Sequence, residues 1–342
     1  MRLRHRRALS AAHSGLPSAP EQAPPAQSLK AGLRRGLLPV CLAALCALPA
    51  CAGTLQKGGA AQAGAGHLVG TYVWKNSHDR FGGFSGLEVS EDGQSFTAIS
   101  DRGSIVMGQF QRENGVITGL EATPVEKLLD ETGTRMNPEI DDAEGLAIGP
   151  GGRIYVSFEG PPRIHASERF DLPATVLPQG DFYPDLQNNS GLEALAIDAE
   201  SRLLTLPERS GQLTKPFPVW RFDGTRWSQP FSLPRSGTFL AVGADIGPDG
   251  KFYLLEREFT GYAFRSRVRR FDITGDKVRH EEVLFESGAF EFDNLEGLAV
   301  WRSAPGRIRL TMISDDNFKF FQKTEFVEVD VPESLDPQAM NQ

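Results

Sequence analysis

Carboxylates recur at fixed places in this chain, and their spacing is the feature most able to support chemistry. Glu144, Glu193 and Glu296 each stand two residues before the leucine of a short apolar run, in Ala143-Glu144-Gly145-Leu146, Leu192-Glu193-Ala194-Leu195 and Leu295-Glu296-Gly297-Leu298. Ser85 and Val242 fill that place in Phe84-Ser85-Gly86-Leu87 and Ala241-Val242-Gly243-Ala244. A second set, Asp101, Glu159, Glu208, Glu256 and Asp315, closes the apolar run that follows each of these, and Arg102, Arg209 and Arg257 directly follow three of its acids. Two like charges ~5 Å apart repel by roughly 3 kcal/mol at an effective dielectric near 20. Gathered together, such groups demand arginine partners, raised pKa values or a bound cation. Among common metals Ca²⁺ suits carboxylate oxygens best, and a bound cation turns an acidic surface into a receptor for phosphate or carboxylate ligands. Each acid also has a plainer use, accepting backbone N–H groups and pairing with its arginine to fix strand register.

The elements that must position them form a repeat. The steps from Leu87 to Leu146, Leu195, Ala244 and Leu298 are 59, 49, 49 and 54 residues, the period of propeller blades. Each apolar run leads into a turn: Glu91-Asp92-Gly93, Pro150-Gly151-Gly152, Ala199-Glu200-Ser201, Pro248-Asp249-Gly250 or Ala304-Pro305-Gly306. Proline presets the entry of such turns and glycine supplies positive φ. A second, almost wholly apolar strand follows, as in Ile154-Tyr155-Val156-Ser157-Phe158 and Phe252-Tyr253-Leu254-Leu255. That pattern fits strands covered on both faces by neighbouring blades. Two further strands alternate with charge, as in Val268-Arg269-Arg270-Phe271-Asp272 and Glu281-Glu282-Val283-Leu284-Phe285, and suit the wetter outer edge of a blade.

The fold class is therefore all-β, a β-propeller with five blades counted, and residues 104–140 leave room for a sixth. The last repeat has one clear outer strand, Glu325-Phe326-Val327-Glu328-Val329, and Tyr72-Val73-Trp74 supplies its missing partner. Pairing the N- and C-terminal strands in one blade removes open sheet edges. A solenoid is the structural rival, disfavoured by the paired ends and the absence of polar capping repeats. In a propeller the first strand of each blade lines the channel and the second runs antiparallel beside it. First-strand starts and second-strand ends then share one mouth, where both sets of carboxylates converge.

Little else in the chain offers chemistry. His67, His78, His165 and His280 are far apart, show no metal-ligand spacing and read as solvated loop residues. Gly83-Phe84-Ser85-Gly86 lacks the glycine spacing of a nucleophile elbow, although Ser85 belongs to the acidic mouth. The glycines precede strands rather than helix N-termini, so there is no phosphate loop.

Charge divides the chain. Residues 1–51 hold seven Lys/Arg against one acid, which leaves the remainder with a net charge of −14. A domain so acidic excludes nucleic acid as a partner and attracts cations. The uncharged run Gly36–Ala50 is long enough for a signal-peptide core and too short to span a bilayer. It ends in Leu48-Pro49-Ala50-Cys51, which resembles a bacterial lipobox and implies cleavage before Cys51 and its lipidation. Ala50-Cys51-Ala52 also reads as an ordinary cleavage site. All three cysteines, Cys41, Cys46 and Cys51, lie in this segment, so the mature domain has no disulfide and no catalytic thiol. The organisation expected is an export segment at 1–51, a Gly/Ala/Gln tether at 52–67, the propeller at 68–332 and a tail at 333–342. The place expected is the periplasmic side of a bacterial cell envelope, for a monomer whose contact with the membrane is its lipid anchor.

Several motifs in order carry a family resemblance: Gly82-Gly83-Phe84-Ser85-Gly86-Leu87, Ser100-Asp101-Arg102-Gly103, Asp142-Ala143-Glu144-Gly145-Leu146-Ala147, Glu193-Ala194-Leu195-Ala196, Asp293-Asn294-Leu295-Glu296-Gly297-Leu298 and Ser314-Asp315-Asp316-Asn317-Phe318. Together, over roughly residues 68–330, they resemble the phytase-like family described as having esterase-like activity. The resemblance implies a relation to β-propeller phytases, in which a calcium cluster at an acidic channel mouth binds phosphate and activates water. By that analogy Asp101, Glu144, Glu159, Glu193, Glu208, Glu256, Glu296 and Asp315 would hold or approach Ca²⁺. Asp101, Glu144, Glu296 and Asp315 are then the catalytic candidates. Arg102, Arg209 and Arg257, with Ser85, would steady a small anionic ester, since guanidinium matches phosphate geometry. The activity expected is metal-assisted hydrolysis of a phosphoric or carboxylic ester. A non-catalytic scaffold or ligand-binding propeller is the alternative.

Overall fold

The structure, a computed structural model, describes residues 64–186 and 191–334. The export segment, Cys51, residues 52–63 of the tether and residues 335–342 of the tail lie outside the described residues. The strands run β1 (His67–Val73), then β2 (Phe84–Val89), β3 (Ser95–Ser100), β4 (Ser104–Glu113), β5 (Val116–Ala122) and β6 (Glu126–Lys127). Next come β7 (Ala143–Ile148), β8 (Ile154–Phe158), β9 (Arg163–Ser167) and β10 (Thr175–Val176). After them come β11 (Leu192–Ile197), β12 (Leu203–Pro207), β13 (Phe217–Phe222) and β14 (Trp227–Leu233). The chain continues through β15 (Leu240–Ile246), β16 (Phe252–Phe259), β17 (Phe264–Thr274) and β18 (Lys277–Glu286). It ends with β19 (Asn294–Ala304), β20 (Arg307–Asp315) and β21 (Glu325–Pro332).

These strands make five antiparallel sheets, each starting from one copy of the repeat. The first strands, β2, β7, β11, β15 and β19, pack side by side in that order and close the ring from β19 back to β2. The fold is a five-bladed β-propeller. Residues 104–140 do not form a sixth blade, because β4, β5 and β6 all belong to the first sheet. The last blade is closed as the pattern requires, with Tyr72 opposite Phe326 and Val73 opposite Glu325. Trp74, just beyond, stacks on Phe84 and Phe326 at ring-centroid distances of 5.2 and 5.7 Å. Arg112 of β4 grips Glu328 of β21 with two hydrogen bonds of 2.7 and 2.8 Å. First and last blades are thus joined by stacking and by a paired charge.

The sequence pattern has direct physical causes. Every residue of β12 is buried, whereas the first seven residues of β18 are all exposed or half-buried, as an inner and an outer strand should be. The inner hairpins turn through Gly93, Gly152, Ser201, Gly250 and Gly306, all at positive φ. The small residue before each repeat leucine lets neighbouring first strands approach. A Cβ added at Gly243 would lie 2.3 Å from the Glu296 carbonyl oxygen, and one at Gly145 would lie 2.7 Å from that of Glu193. The core fills the spaces between blades: Leu255, Val268 and Leu284 of the fourth pack with Leu298, Leu310 and Val327 of the fifth.

Candidate functional site

Five β-bulges build the acidic mouth. Each first strand loses register with its second strand at the same point: between Phe84 and Gly86, Ala143 and Leu146, Leu192 and Ala194, Ala241 and Gly243, and Leu295 and Gly297. The residues thrown out of the ladder include Ser85, Glu144, Glu193, Val242 and Glu296. A bulge breaks the alternation of side chains and re-aims the extra one. The repeat therefore delivers one re-aimed side chain per blade, and in three blades it is a glutamate.

Register places the second set. The Asp101 amide donates to the Gly83 carbonyl at 2.8 Å and that of Glu159 to Asp142 at 2.9 Å. Asp315 stands opposite Asn294, and Arg257 opposite Leu240. The equivalent residues are thus Asp101, Glu159, Glu208, Arg257 and Asp315. Glu256 does not join them. It is wholly buried inside the fourth blade, with Oε2 accepting from Arg267 and Arg269 at 2.9 and 2.7 Å and Oε1 accepting from Arg269 at 2.6 Å. Neighbouring residues of a strand face opposite sides, and here the arginine faces the mouth.

Arg257 enters between two blades. One Nη donates to Glu208 Oε1 at 2.8 Å; the other donates to Asn294 Oδ1 at 3.0 Å and pairs with Glu296. Burial alone would lower its pKa, but Glu296, Glu208 and Glu193 raise it and hold the charge. The other two arginines stay at the rim. Arg209 pairs with Glu208 Oε2 at 3.0 Å, and Arg102 lies over the Phe318 ring, 3.3 Å from its centroid. Ser85 Oγ donates to the Ala143 carbonyl at 2.6 Å and ties the first blade to the second, which leaves it no base to lose its proton to.

Opposite Arg257 the mouth is short of positive charge. Carboxylate oxygens of Asp142, Glu144 and Glu159 lie within 4.8 Å of one another. Glu144 is driven well above its ordinary pKa by burial, and by Glu193, Glu296, Asp142 and Glu159. Glu193 rises for the same reasons, with Arg257 opposing. Burial also raises Asp142 and Glu159. Asp101 is pushed up to about 8 by burial and then by Asp315, Glu296 and Asp142. Its Oδ1 is buried and has no hydrogen-bond partner. Burial takes Glu296 to about 7 against the pull of Arg257, and Asp315 to about 6 against the Asn317 amide. Asp316, by contrast, is a latch: Oδ1 accepts from the Gly83 and Phe318 amides at 3.0 Å each, and Oδ2 from Thr324 at 3.0 Å.

The structure thus brings together Asp101, Glu144, Glu159, Glu193, Glu208, Glu296, Asp315 and Arg257. It adds two residues that the spacing argument passed over, Asp142 and Asn294. Both stand four residues before a repeat leucine, and that shared offset is the signal that would have found them. Asn294 Nδ2 donates to Glu296 Oε1 at 2.9 Å and Asp315 Oδ2 at 3.1 Å, so it spaces two acids that would otherwise repel. His165 is not a loop residue but a buried member of β9, its pKa lowered to about 4 by burial and Arg163. His67 and His280 stand exposed on strands, and His78 in a loop.

A cavity of about 1830 Å³ opens at the other, turn-side end of the channel, lined by Glu88, Ile148, Asp245, Val300 and Trp301 among others. Its carboxylates stitch blades together: Glu88 accepts from the Ile148 amide at 2.9 Å and Asp245 from that of Val300 at 2.7 Å. Burial still raises both acids, Asp245 to about 7, and Asp245 raises Glu88 further.

Residues 79–318 match the family described as phytase-like, with the esterase-like activity of phytase. Among solved structures, the chain is similar to the pyrroloquinoline-quinone-bound form of an aldose sugar dehydrogenase from Streptomyces coelicolor, at 12% identity over 79% of this chain and 100% of that one, TM-score 0.41. It is also similar to a calcium-binding protein, regucalcin, from Agrobacterium tumefaciens, at 11% identity over 76% and 80% of the two chains, TM-score 0.41. A gluconolactonase from Xanthomonas campestris stands at 11% identity over 72% of each chain, TM-score 0.40. At this distance the likenesses say nothing about chemistry. No curated protein sequence matches the chain.

Proposed function

The chain belongs to the phytase-like family, and on that premise we propose that its acidic mouth hydrolyses a small anionic phosphoric or carboxylic ester with the help of a bound divalent cation. The observation that carries the reading is the trio of Asp142, Glu144 and Glu159, whose oxygens lie within 4.8 Å of one another with Arg257 committed elsewhere. The donor set is all carboxylate oxygen, which fits Ca²⁺ in preference to softer metals. Asp142, Glu144 and Glu159 would hold it, with Glu193 adjacent. When bound it would supply the positive charge that makes this mouth attractive to an anion and that acidifies a water.

The chain's own residues do the rest. Arg257 is charged at every working pH and fixed by Glu208, Glu296 and Asn294, so it orients an anion without moving. Arg209 and Arg102 stand at the entrance, where they meet an incoming phosphate or carboxylate first. Asp101, whose carboxyl burial and then Asp315, Glu296 and Asp142 push up to about 8, would present a proton to a departing oxygen, the role a raised carboxyl pKa serves in general acid catalysis. Glu296 titrates at about 7 and can take up a proton in exchange. Ser85 has no part in the reaction.

The test is turnover of 4-nitrophenyl phosphate, 4-nitrophenyl acetate and phytate by the mature chain, with Ca²⁺ and with a chelator. Hydrolysis of at least one should depend on the cation. It should fall by about 100-fold in Glu144→Gln and in Asp101→Asn proteins that melt cooperatively. Turnover unchanged in both folded variants would remove the catalytic reading. Cation binding without turnover of any ester would leave a ligand-binding propeller.

A further inference from the structure

Among the described residues, every exposed large aromatic side chain lies on one flank of the acidic mouth. These are Phe259, Tyr262, Phe290, Phe320 and Phe321, with exposures of 59, 71, 72, 100 and 70%. They belong to three segments that leave or enter mouth residues: the end of β16 and its turn after Arg257, the loop leading into Asn294, and the loop leaving Asp315. Isolated apolar residues on a surface need no explanation, but a group of them does. Five aromatics on the same face of two adjacent blades, and none on the other three, are a group.

The surface is organised. Tyr262 and Phe290 stack at 5.6 Å although they come from different loops. Phe320 and Phe321 meet edge to face at 5.3 Å. Phe290 is held at φ 64°, a conformation that bulky residues avoid and that persists where the surroundings impose it. Asn317 and Phe318, at φ 48° and 51°, are pinned there by hydrogen bonds from their amides to Asp315 and Asp316. Two arginines of the mouth lie against rings of the same segments. The Arg257 guanidinium lies 6.0 Å from the Phe264 ring centroid, and Phe264 lies 5.0 Å from Phe259. Arg102 lies on Phe318, two residues before the Phe320–Phe321 pair.

We propose that this flank is a subsite for the apolar portion, an aryl ring or acyl chain, of a ligand whose anionic group occupies the acidic mouth. The proposal rests on the reading of the mouth as an anion site and narrows its substrate class to amphiphilic esters. Guanidinium groups with aromatic rings directly behind them suit a molecule charged at one end and apolar at the other. A bilayer is a poorer occupant. Asp316, Glu258, Glu291 and Asp293 belong to the same segments as these rings, with Lys319 and Lys323, and the exposed apolar residues of the opposite rim, Ile140 and Leu213, are single aliphatic side chains rather than paired rings.

Calorimetric titration with phenylphosphonate and methylphosphonate, both in the presence of Ca²⁺, tests the subsite without turnover. The wild-type chain should bind the phenyl compound about tenfold more tightly, the worth of one good aromatic contact. That preference should fall to about unity in the triple variant Phe259→Ser, Tyr262→Ser, Phe290→Ser. All three side chains are exposed, so its melting temperature should stay with the wild type. Equal binding of the two phosphonates by the wild type, binding of neither, or a preference that survives the triple change overturns the proposal. So does sedimentation with phosphatidylcholine vesicles that the triple change abolishes while the phosphonates bind alike. A phenyl preference without hydrolysis of any ester sustains the subsite and removes only the catalytic reading.

Discussion

Glu256→Ala should lower the melting temperature by roughly 10 °C and leave the cation affinity of the folded protein unchanged. Glu256 is the sole carboxylate shared by Arg267 and Arg269, and neither it nor Arg269 exposes any side-chain surface. Arg269 keeps Glu281 at 2.7 Å and the Pro234 carbonyl at 2.9 Å, and Arg267 keeps the Ser236 carbonyl at 2.8 Å. Those bonds satisfy N–H groups but do not balance two guanidinium charges. Breaking a buried ion pair from one side costs about 3–5 kcal/mol, because the remaining charge stays out of water. Thermal melting and calcium titration of the same sample decide the matter. A small thermal shift with lost calcium binding would move Glu256 into the mouth.

Arg257→Met should destabilise the cation-free protein by about 3–5 kcal/mol at pH 8 and by clearly less at pH 5. Arg257 lowers the pKa values of Glu193, Glu296 and Asp315, so its removal raises all three further. At pH 5 Glu296, at about 7, and Asp101, at about 8, are largely protonated, and little repulsion is released. At pH 8 the carboxyl groups must either ionise against one another or hold protons against the solvent. The loss therefore grows as pH rises. Denaturant unfolding of both proteins at the two pH values measures it, and an equal loss at both would mean that Arg257 serves packing rather than charge.

The architecture was legible in the sequence because a propeller repeats its constraints. Apolar second strands, glycine turns and the unpaired strand Glu325–Val329 each follow from burial or edge closure, and the structure meets them blade by blade. Much of the mouth was legible too, since the antiparallel hairpin alone decides which strand ends share a rim. The choice between Glu256 and Arg257 was not. A one-residue shift of register reverses the facing of every side chain, and Leu254-Leu255-Glu256-Arg257-Glu258 offers a charged residue on either side. The spacing held the answer: the 49-residue step from Glu159 to Glu208, taken once more, lands on Arg257. The bulges left only a faint mark, the small residue that follows each re-aimed side chain. The aromatic flank left none, because exposure of a loop phenylalanine is decided by neighbours distant in sequence.

The central claim is that the mouth carboxylates repel one another and are quieted by protons or by a divalent cation. Their raised pKa values, with those of Glu88 and Asp245 at the turn-side end, mean that the folded chain binds more protons than the unfolded one between about pH 4 and pH 8. Stability must therefore fall as pH rises through that window. The direct test is the melting temperature from pH 5 to pH 8, with Ca²⁺ and with a chelator. In chelator it should drop by about 5 °C or more toward pH 8, and Ca²⁺ should restore most of the loss there while doing little at pH 5. A chelated protein as stable at pH 8 as at pH 5, with no response to Ca²⁺ at either, would contradict the account.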